Sequence, residues 1–109
     1  MGKFVIKSRT NGDFQFNLHA NNGQIIMTSQ GYATKYGCEN GIESVRTNSQ
    51  DSLKFERMVS VNSKYYFNLK AGNGQIIGTS EMYESSSGRD NGIESVQTNA
   101  PTATIEDLT

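Results

Sequence analysis

The chain has 109 residues, with ten Lys and Arg against eleven Asp and Glu, which gives a formal net charge of -1. That length fits one compact domain or two very small ones. The near-neutral charge argues against nucleic acid as a partner, and no apolar run approaches the roughly 20 residues of a membrane span. We recognise no signal peptide, and the single cysteine, Cys38, has no partner for an internal disulfide. We therefore expect a cytoplasmic protein with no membrane partner.

An internal repeat is the strongest signal in the sequence. A shift of 51 residues aligns residues 4–49 with residues 55–100 without a gap, and 23 of the 46 aligned positions are identical. A unit of about fifty residues buries too little surface to be stable by itself. We therefore predict a first unit, residues 1–51, and a second unit, residues 52–109, that share one core as a single pseudo-symmetric domain.

The first unit opens with patterns typical of strands. Residues 4–7 are a short β-prone run, and residues 14–19 alternate apolar with polar side chains, as a strand with one buried face does. The Asn-Gly pairs at 11–12 and 22–23 predict two-residue hairpin turns, in which both central residues have positive φ. Residues 24–28 predict a third strand whose adjacent isoleucines point to opposite faces, so that one of them lies on the face away from the helices.

The next segment has two interpretations. The pair at residues 40–41 is Asn-Gly, which favours another hairpin turn. Against it, Cys38, Ile42 and Val45 have the i, i+4, i+7 spacing of a helix face. We favour the helix, and the same positions of the second unit repeat it. The predicted helices are residues 35–48 and 86–99.

The ends and glycines of these helices also carry information. Thr34 and Ser85 are suitable N-caps, and Pro101 ends the second helix. Gly37 and Gly41 lie one turn apart and recur in the second unit, although a glycine inside a helix costs about 1 kcal/mol. They predict close packing of the helix backbone, most simply on the sheet. Extended pieces near residues 53–55 and 103–106 complete a β-β-β-α-β unit.

Both units carry the same motifs: Asn-Gly-Gln-Ile-Ile-x-Thr-Ser, a Tyr three residues later (Tyr32, Tyr83), and then Asn-Gly-Ile-Glu-Ser-Val. These motifs resemble those of the YegP-like family of small, mostly bacterial proteins. The resemblance implies an α+β fold in which two such units share one antiparallel sheet, with two helices packed on one face and the last strands exchanged between units. It implies no established biochemical function, catalytic residue or cofactor.

Catalytic and metal-binding chemistry is poorly supported. Cys38 and His19 would make a nucleophile and base only if the fold brought them together, and we interpret Cys38 as a small buried hydrophobe and His19 as a solvated strand residue. Glu43 and its repeat, Glu94, are expected to be solvated on the outer side of the helices. A transition-metal site needs three or four clustered ligands, which one His and one Cys do not supply. We expect no catalytic residues, no metal and no cofactor.

The uncovered face of the sheet is the best candidate binding surface. We predict a non-catalytic module that binds a protein partner or a second copy through this face; the alternative is a weak single-stranded nucleic-acid binder, which the lack of a basic excess disfavours. The candidate binding residues are Lys7, Gln15, Asn17, His19, Tyr66, Asn68 and Lys70.

Overall fold

The computed structural model describes residues 2–109 as seven strands and two α-helices. The first unit contributes three strands and a helix, and the second contributes the remaining four strands and a helix. In chain order the elements are β1 (Lys3–Ser8), β2 (Phe14–His19), β3 (Ile25–Ser29), α1 (Lys35–Asn48), β4 (Phe55–Val59), β5 (Tyr65–Lys70), β6 (Ile76–Ser80), α2 (Ser86–Asn99) and β7 (Thr104–Asp107).

All seven strands form one sheet with the order β4-β5-β6-β3-β2-β1-β7. The two units meet at its centre, where β3 and β6 pair antiparallel with Thr28 opposite Thr79. This pairing places a pseudo-two-fold axis between the two threonines and confirms the shared sheet. One detail differs from the expectation: β7 runs parallel to β1, so the sheet is mixed rather than wholly antiparallel.

Strand exchange occurs on one side only. β7 leaves the second unit and lies against β1 of the first, with Phe4 beside Ile105. The equivalent piece of the first unit, near residues 53–55, forms a 3₁₀ turn over Ser52–Lys54 and runs straight into β4. Because that stretch already begins the second unit, no strand of residues 2–109 lies on the outer side of β4.

The hairpins turn at the predicted Asn-Gly pairs but with a different geometry. The N–H of Gly12 donates to the carbonyl of Arg9, and that of Gly23 donates to the carbonyl of Ala20. Only the glycines have positive φ, 89° at Gly12 and 87° at Gly23, and neither preceding asparagine does. The prediction of two-residue turns with positive φ at both central residues is therefore wrong. The loops are one residue longer, and the glycine follows an ordinary turn.

Both helices pack on one face of the sheet around a single core. Their limits agree with the predicted ones, and the N-caps are confirmed: Thr34 Oγ1 and Ser85 Oγ accept from the third residue of each helix at 3.0 Å. Side chains of both units meet in the core, including Phe16, Ile42 and Phe67. Within residues 2–109, neither helix is long and apolar enough to cross a bilayer.

Cys38 lies fully inside this core, with 0% of its surface exposed. Burial, together with the charges of Glu39 and Asp107, raises the pKa of its thiol to about 11. We expect the native protein to resist alkylation by iodoacetamide at pH 8, because the thiolate is the reactive form and the site is closed to solvent. Mass spectrometry should find Cys38 completely modified in urea and unmodified in the native protein after the same reaction time. Rapid labelling of the native chain would contradict this placement.

Candidate functional site on the open face of the sheet

The face of the sheet turned away from the helices, called here the open face, has a polar centre. Cross-strand pairing sets one row of side chains side by side from β1 to β4. Because the residues of this row are register partners, they share a face with one another. The row, called here the central row, is Val5, Asn17, Thr28, Thr79, Asn68 and Glu56.

The second unit's half of the central row is fully hydrogen-bonded. Thr79 Oγ1 donates to Asn68 Oδ1 at 2.8 Å, and Asn68 Nδ2 donates to Glu56 Oε1 at 3.1 Å. Lys70 Nζ lies 3.0 Å from the other carboxylate oxygen, Glu56 Oε2. The bonds from Lys70 and Asn68 hold the pKa of the Glu56 carboxyl below its usual range. This half is a closed network of side chains.

The first unit's half keeps the asparagine and the threonine opposite it, Thr28, but lacks the charged residues of the second half. Val5 replaces Glu56 and His19 replaces Lys70. Asn17 is only 4% exposed, and its Oδ1 has no hydrogen-bond partner within the described chain. His19 Nδ1 lies 3.0 Å from the carbonyl of Gly23, and a carbonyl only accepts, so Nδ1 carries the proton. The other ring nitrogen, Nε2, is also buried without a partner within the described chain.

The structure separates the seven predicted binding residues by exposure. Asn17 and Asn68 are buried, at 4% and 6%, and so form the floor of the open face rather than its surface. Lys7 is exposed, while the other four are half-buried. His19 is thus packed rather than solvated, because its ring folds back on the following turn. The half-buried residues are Gln15, His19, Tyr66 and Lys70.

The catalytic pair considered from the sequence does not form. Cys38 lies in the core on the helix side of the sheet, whereas His19 lies on the open face with Asn17. Glu43 is largely exposed and pairs with Arg46 at 3.1 Å, which confirms its place on the outer side of the helix. Among residues 2–109, no three His, Cys, Asp or Glu side chains cluster in a way that could hold a metal ion.

Two equivalent grooves on the helix side were not predicted. The first has a volume of about 740 Å³ and lies between α1 and the β5–β6 turn, and the second, of about 510 Å³, lies between α2 and the β2–β3 turn. Each therefore joins one unit's helix to the other unit's turn. One feature of the sequence could have indicated them: polar residues that have no role in the core are identical in the two repeats. The residues that line both grooves at equivalent positions include Gln24 and Gln75, Ile25 and Ile76, Asn40 and Asn91, and Ser44 and Ser95.

These grooves also account for the exposed isoleucines. Each third strand has one buried isoleucine, Ile26 or Ile77, and one that is more than a third exposed, Ile25 or Ile76. A register shift between Leu18 and His19 places an extra residue in the strand. Both isoleucines of each third strand, the exposed one as well as the buried one, line a groove beside a helix.

The profile of a domain of unknown function, DUF1508, matches the chain twice, at residues 10–56 and 60–107. A UPF0339 protein of Acinetobacter baylyi is 52% identical over 99% of this chain and 97% of its own length. The UPF0339 protein YegP of Escherichia coli is 44% identical over 99% of this chain and 98% of its own. The chain belongs to the UPF0339 family.

A solved UPF0339 structure agrees with the fold. The solution NMR structure of a UPF0339 protein from Shewanella oneidensis matches with a TM-score of 0.94 and 52% identity, and covers 99% of this chain and 92% of that one. The tandem α+β architecture and the resemblance to the YegP-like family are therefore confirmed. The function of the family is unknown, and no activity transfers to this UPF0339 chain.

Proposed function

We propose that this UPF0339 chain is a non-catalytic module that binds a protein partner through the open face of its sheet. The observation that carries the proposal is a pair of buried atoms that have no partner within the described chain, the amide oxygen Asn17 Oδ1 and the ring nitrogen His19 Nε2. A buried polar atom left unpaired costs about 1–3 kcal/mol. A bound partner that forms hydrogen bonds with both atoms removes that cost.

The second half of the open face indicates what kind of group fits. There a hydroxyl donates to the equivalent asparagine oxygen, Asn68 Oδ1. A partner surface with hydroxyl, amide or ammonium donors would complete the first half in the same way. The nearby Lys3 already pairs with Glu106 at 2.9 Å, so the site has no basic excess for a phosphate backbone. This favours a protein over a nucleic acid. The single thiol favours the cytoplasm as the place of action.

Matched asparagine variants test whether the Asn17 acceptor is unpaired in the free protein. We expect Asn17→Leu to raise the free energy of unfolding by about 1 kcal/mol, because it removes a buried acceptor without a partner. The equivalent change, Asn68→Leu, should lower it by about 1–3 kcal/mol, because it breaks bonds to Glu56 and Thr79. Urea unfolding of both variants measures the difference. A loss of stability at both positions would show that Asn17 is satisfied in the free chain.

Binding itself is tested by native mass spectrometry of untagged protein purified gently from its own cells. We expect a complex whose excess mass is that of a protein, and we expect Asn17→Leu and Tyr66→Asp to lose it. The control is Glu43→Gln, which changes an exposed helix residue outside the open face. A complex that survives both open-face variants, or binding to single-stranded oligonucleotides that weakens steeply with salt, would overturn the proposal.

A further inference from the structure

The two outer strands of the pseudo-symmetric sheet are treated differently. β1 and β4 are equivalent by the repeat, residue for residue, with Phe4 matching Phe55 and Ile6 matching Arg57. The outer edge of β1 is covered by β7, whereas β4 is the last strand on its side and pairs only with β5. The position that corresponds to β7 beside β4 is filled by no strand among residues 2–109.

The backbone of β4 is oriented to accept such a strand. On the β1 side, the carbonyls of Gly2 and Ile6 accept from Thr104 N at 3.3 Å and Leu108 N at 3.0 Å. By the repeat their equivalents are the carbonyls of Leu53, which lies in the 3₁₀ turn before β4, and of Arg57, which lies in β4 itself. Since backbone groups alternate along a strand, Arg57 and Val59 direct their N–H and C=O groups away from β5. These groups form a template for a further parallel strand.

Apolar side chains are exposed along and beside this edge. Leu53, just before β4, is 91% exposed, Val59 at its end is 57% exposed, and Val61 in the next turn is fully exposed. Exposed apolar side chains next to unpaired backbone groups are typical of strand addition, in which main-chain bonds give affinity and alternate side chains give specificity.

The charges indicate an acidic occupant. In the β1 edge, Lys3 Nζ binds Glu106 of β7 at 2.9 Å, and Asp107 lies beside Ile6. Lys3 recurs as Lys54, which lies 3.9 Å from Asp51. Ile6 is replaced by Arg57, which pairs with Asp90 at 3.0 Å and keeps 46% of its side chain exposed. A strand at the β4 edge with acidic residues at the positions of Glu106 and Asp107 would thus meet Lys54 and Arg57. Arg89, whose guanidinium stacks on the Tyr65 ring at 5.3 Å, also pairs with Asp90 and is only 12% exposed. These three cations stand against two carboxylates, Asp51 and Asp90, so this side keeps a positive excess.

We propose that the outer edge of β4 binds an extended acidic segment of a partner protein as an eighth strand, parallel to β4, in the way that β7 occupies the edge of β1. This edge is separate from the unpaired buried atoms of the open face. The two proposals therefore stand or fall independently.

The probe is a synthetic peptide with the sequence of β7, Ala-Thr-Ile-Glu-Asp-Leu-Thr, added to the full-length ¹⁵N-labelled chain. We expect the amide signals of Arg57 and Val59 to shift with saturable binding, while those of β1 and β7 stay in place. A peptide with Gln and Asn in place of Glu and Asp should bind at least about fivefold more weakly, because it loses the ion pairs to the edge. Shifts confined to β1 and β7 would show exchange with the chain's own strand and would overturn the proposal.

Two variants at one position separate the backbone from the side chain. Arg57→Pro removes the outward N–H, and a proline is tolerated on an edge strand when its nitrogen faces solvent. Arg57→Ala removes the same side chain and keeps the N–H. We expect Arg57→Pro to bind the peptide about tenfold more weakly than Arg57→Ala. Equal affinities would overturn the proposal, and so would a stable dimer of the wild-type chain that is abolished by the proline.

If Arg57→Pro fails to fold, the comparison moves one pair along the strand. Val59→Pro against Val59→Ala removes the next outward N–H at the end of β4, where the ladder to β5 finishes. The same loss of affinity is expected, and equal affinities overturn the proposal in the same way. Circular dichroism of each variant confirms that the sheet is intact before binding is measured.

Discussion

Separating the chain between Asp51 and Ser52 is expected to leave two halves that are unfolded alone, or folded only as dimers. The physical reason is that neither half keeps its sheet or its core. The first half loses β7 from one side of its three strands and β6 from the other, and the second half loses β3. About fifty residues cannot replace that buried surface.

Specific contacts across the units support this expectation. Gln30 N donates to the carbonyl of Ile77 at 3.1 Å, and Arg46 Nη1 donates to the carbonyl of Ala100 at 2.9 Å. The Arg46 guanidinium also lies 5.1 Å from the centre of the Phe4 ring. One arginine therefore connects the helix of the first unit, its first strand and the segment that leads into β7.

The measurement is far-UV circular dichroism and ¹H–¹⁵N spectra of residues 1–51 and 52–109, first separately and then mixed. Mixing is the control, because complementary halves should regain the spectrum of the intact chain if only the shared core was lost. Two independently folded monomeric halves would refute the shared core and the division into mutually dependent units.

The helices could be predicted because their signals are local in the sequence. The arrangement of the strands could be predicted only in part, because it depends on pairing between distant segments. Thr34 and Ser85 bond to the third residue of their helices, a contact that depends only on neighbours in the sequence. The parallel direction of β7 depends instead on where the chain returns to the sheet after α2, and no local sequence pattern indicates this. A repeat alone could not show that the first unit has no strand left to exchange.

The sequence was sufficient to predict which residues share the open face. It was not sufficient to predict the hydrogen bonds between them. Alternation placed Asn17, His19 and Asn68 on one side of their strands, and that is where they lie. Their hydrogen bonding depends on neighbours across the sheet, since Glu56 beside Asn68 is replaced by Val5 beside Asn17. The grooves were missed for a related reason. Each combines one unit's helix with the other unit's turn, so reading a single repeat could not assemble either.

The repeated helix glycines lead to the second large effect. A Cβ added at Gly41 would lie 2.3 Å from Tyr32 Oη and 2.7 Å from Tyr32 Cζ. The predicted close packing of the helix is therefore confirmed, but its main contact is this tyrosine, which follows β3, together with the Phe16 ring beneath. Tyr32 cannot move aside easily. Its backbone makes two hydrogen bonds of 2.7 Å with Phe14, and its ring stacks on Phe16 with 6.3 Å between centroids.

We expect Gly41→Ala to lower the free energy of unfolding by about 1–3 kcal/mol, the range of overpacked cores, although helix propensity alone predicts a gain of about 1 kcal/mol. Gly72→Ala is the matched control, since a Cβ there meets no atom within 4 Å, and it should change stability by less than about 0.5 kcal/mol. Urea unfolding measures both variants.

Combining Gly41→Ala with Tyr32→Ala should cost less than the sum of the two changes, because the clash disappears with the ring. A stabilised Gly41→Ala variant would show that propensity, and not contact with Tyr32, governs this position, and would remove the reason given for the glycine's recurrence as Gly92.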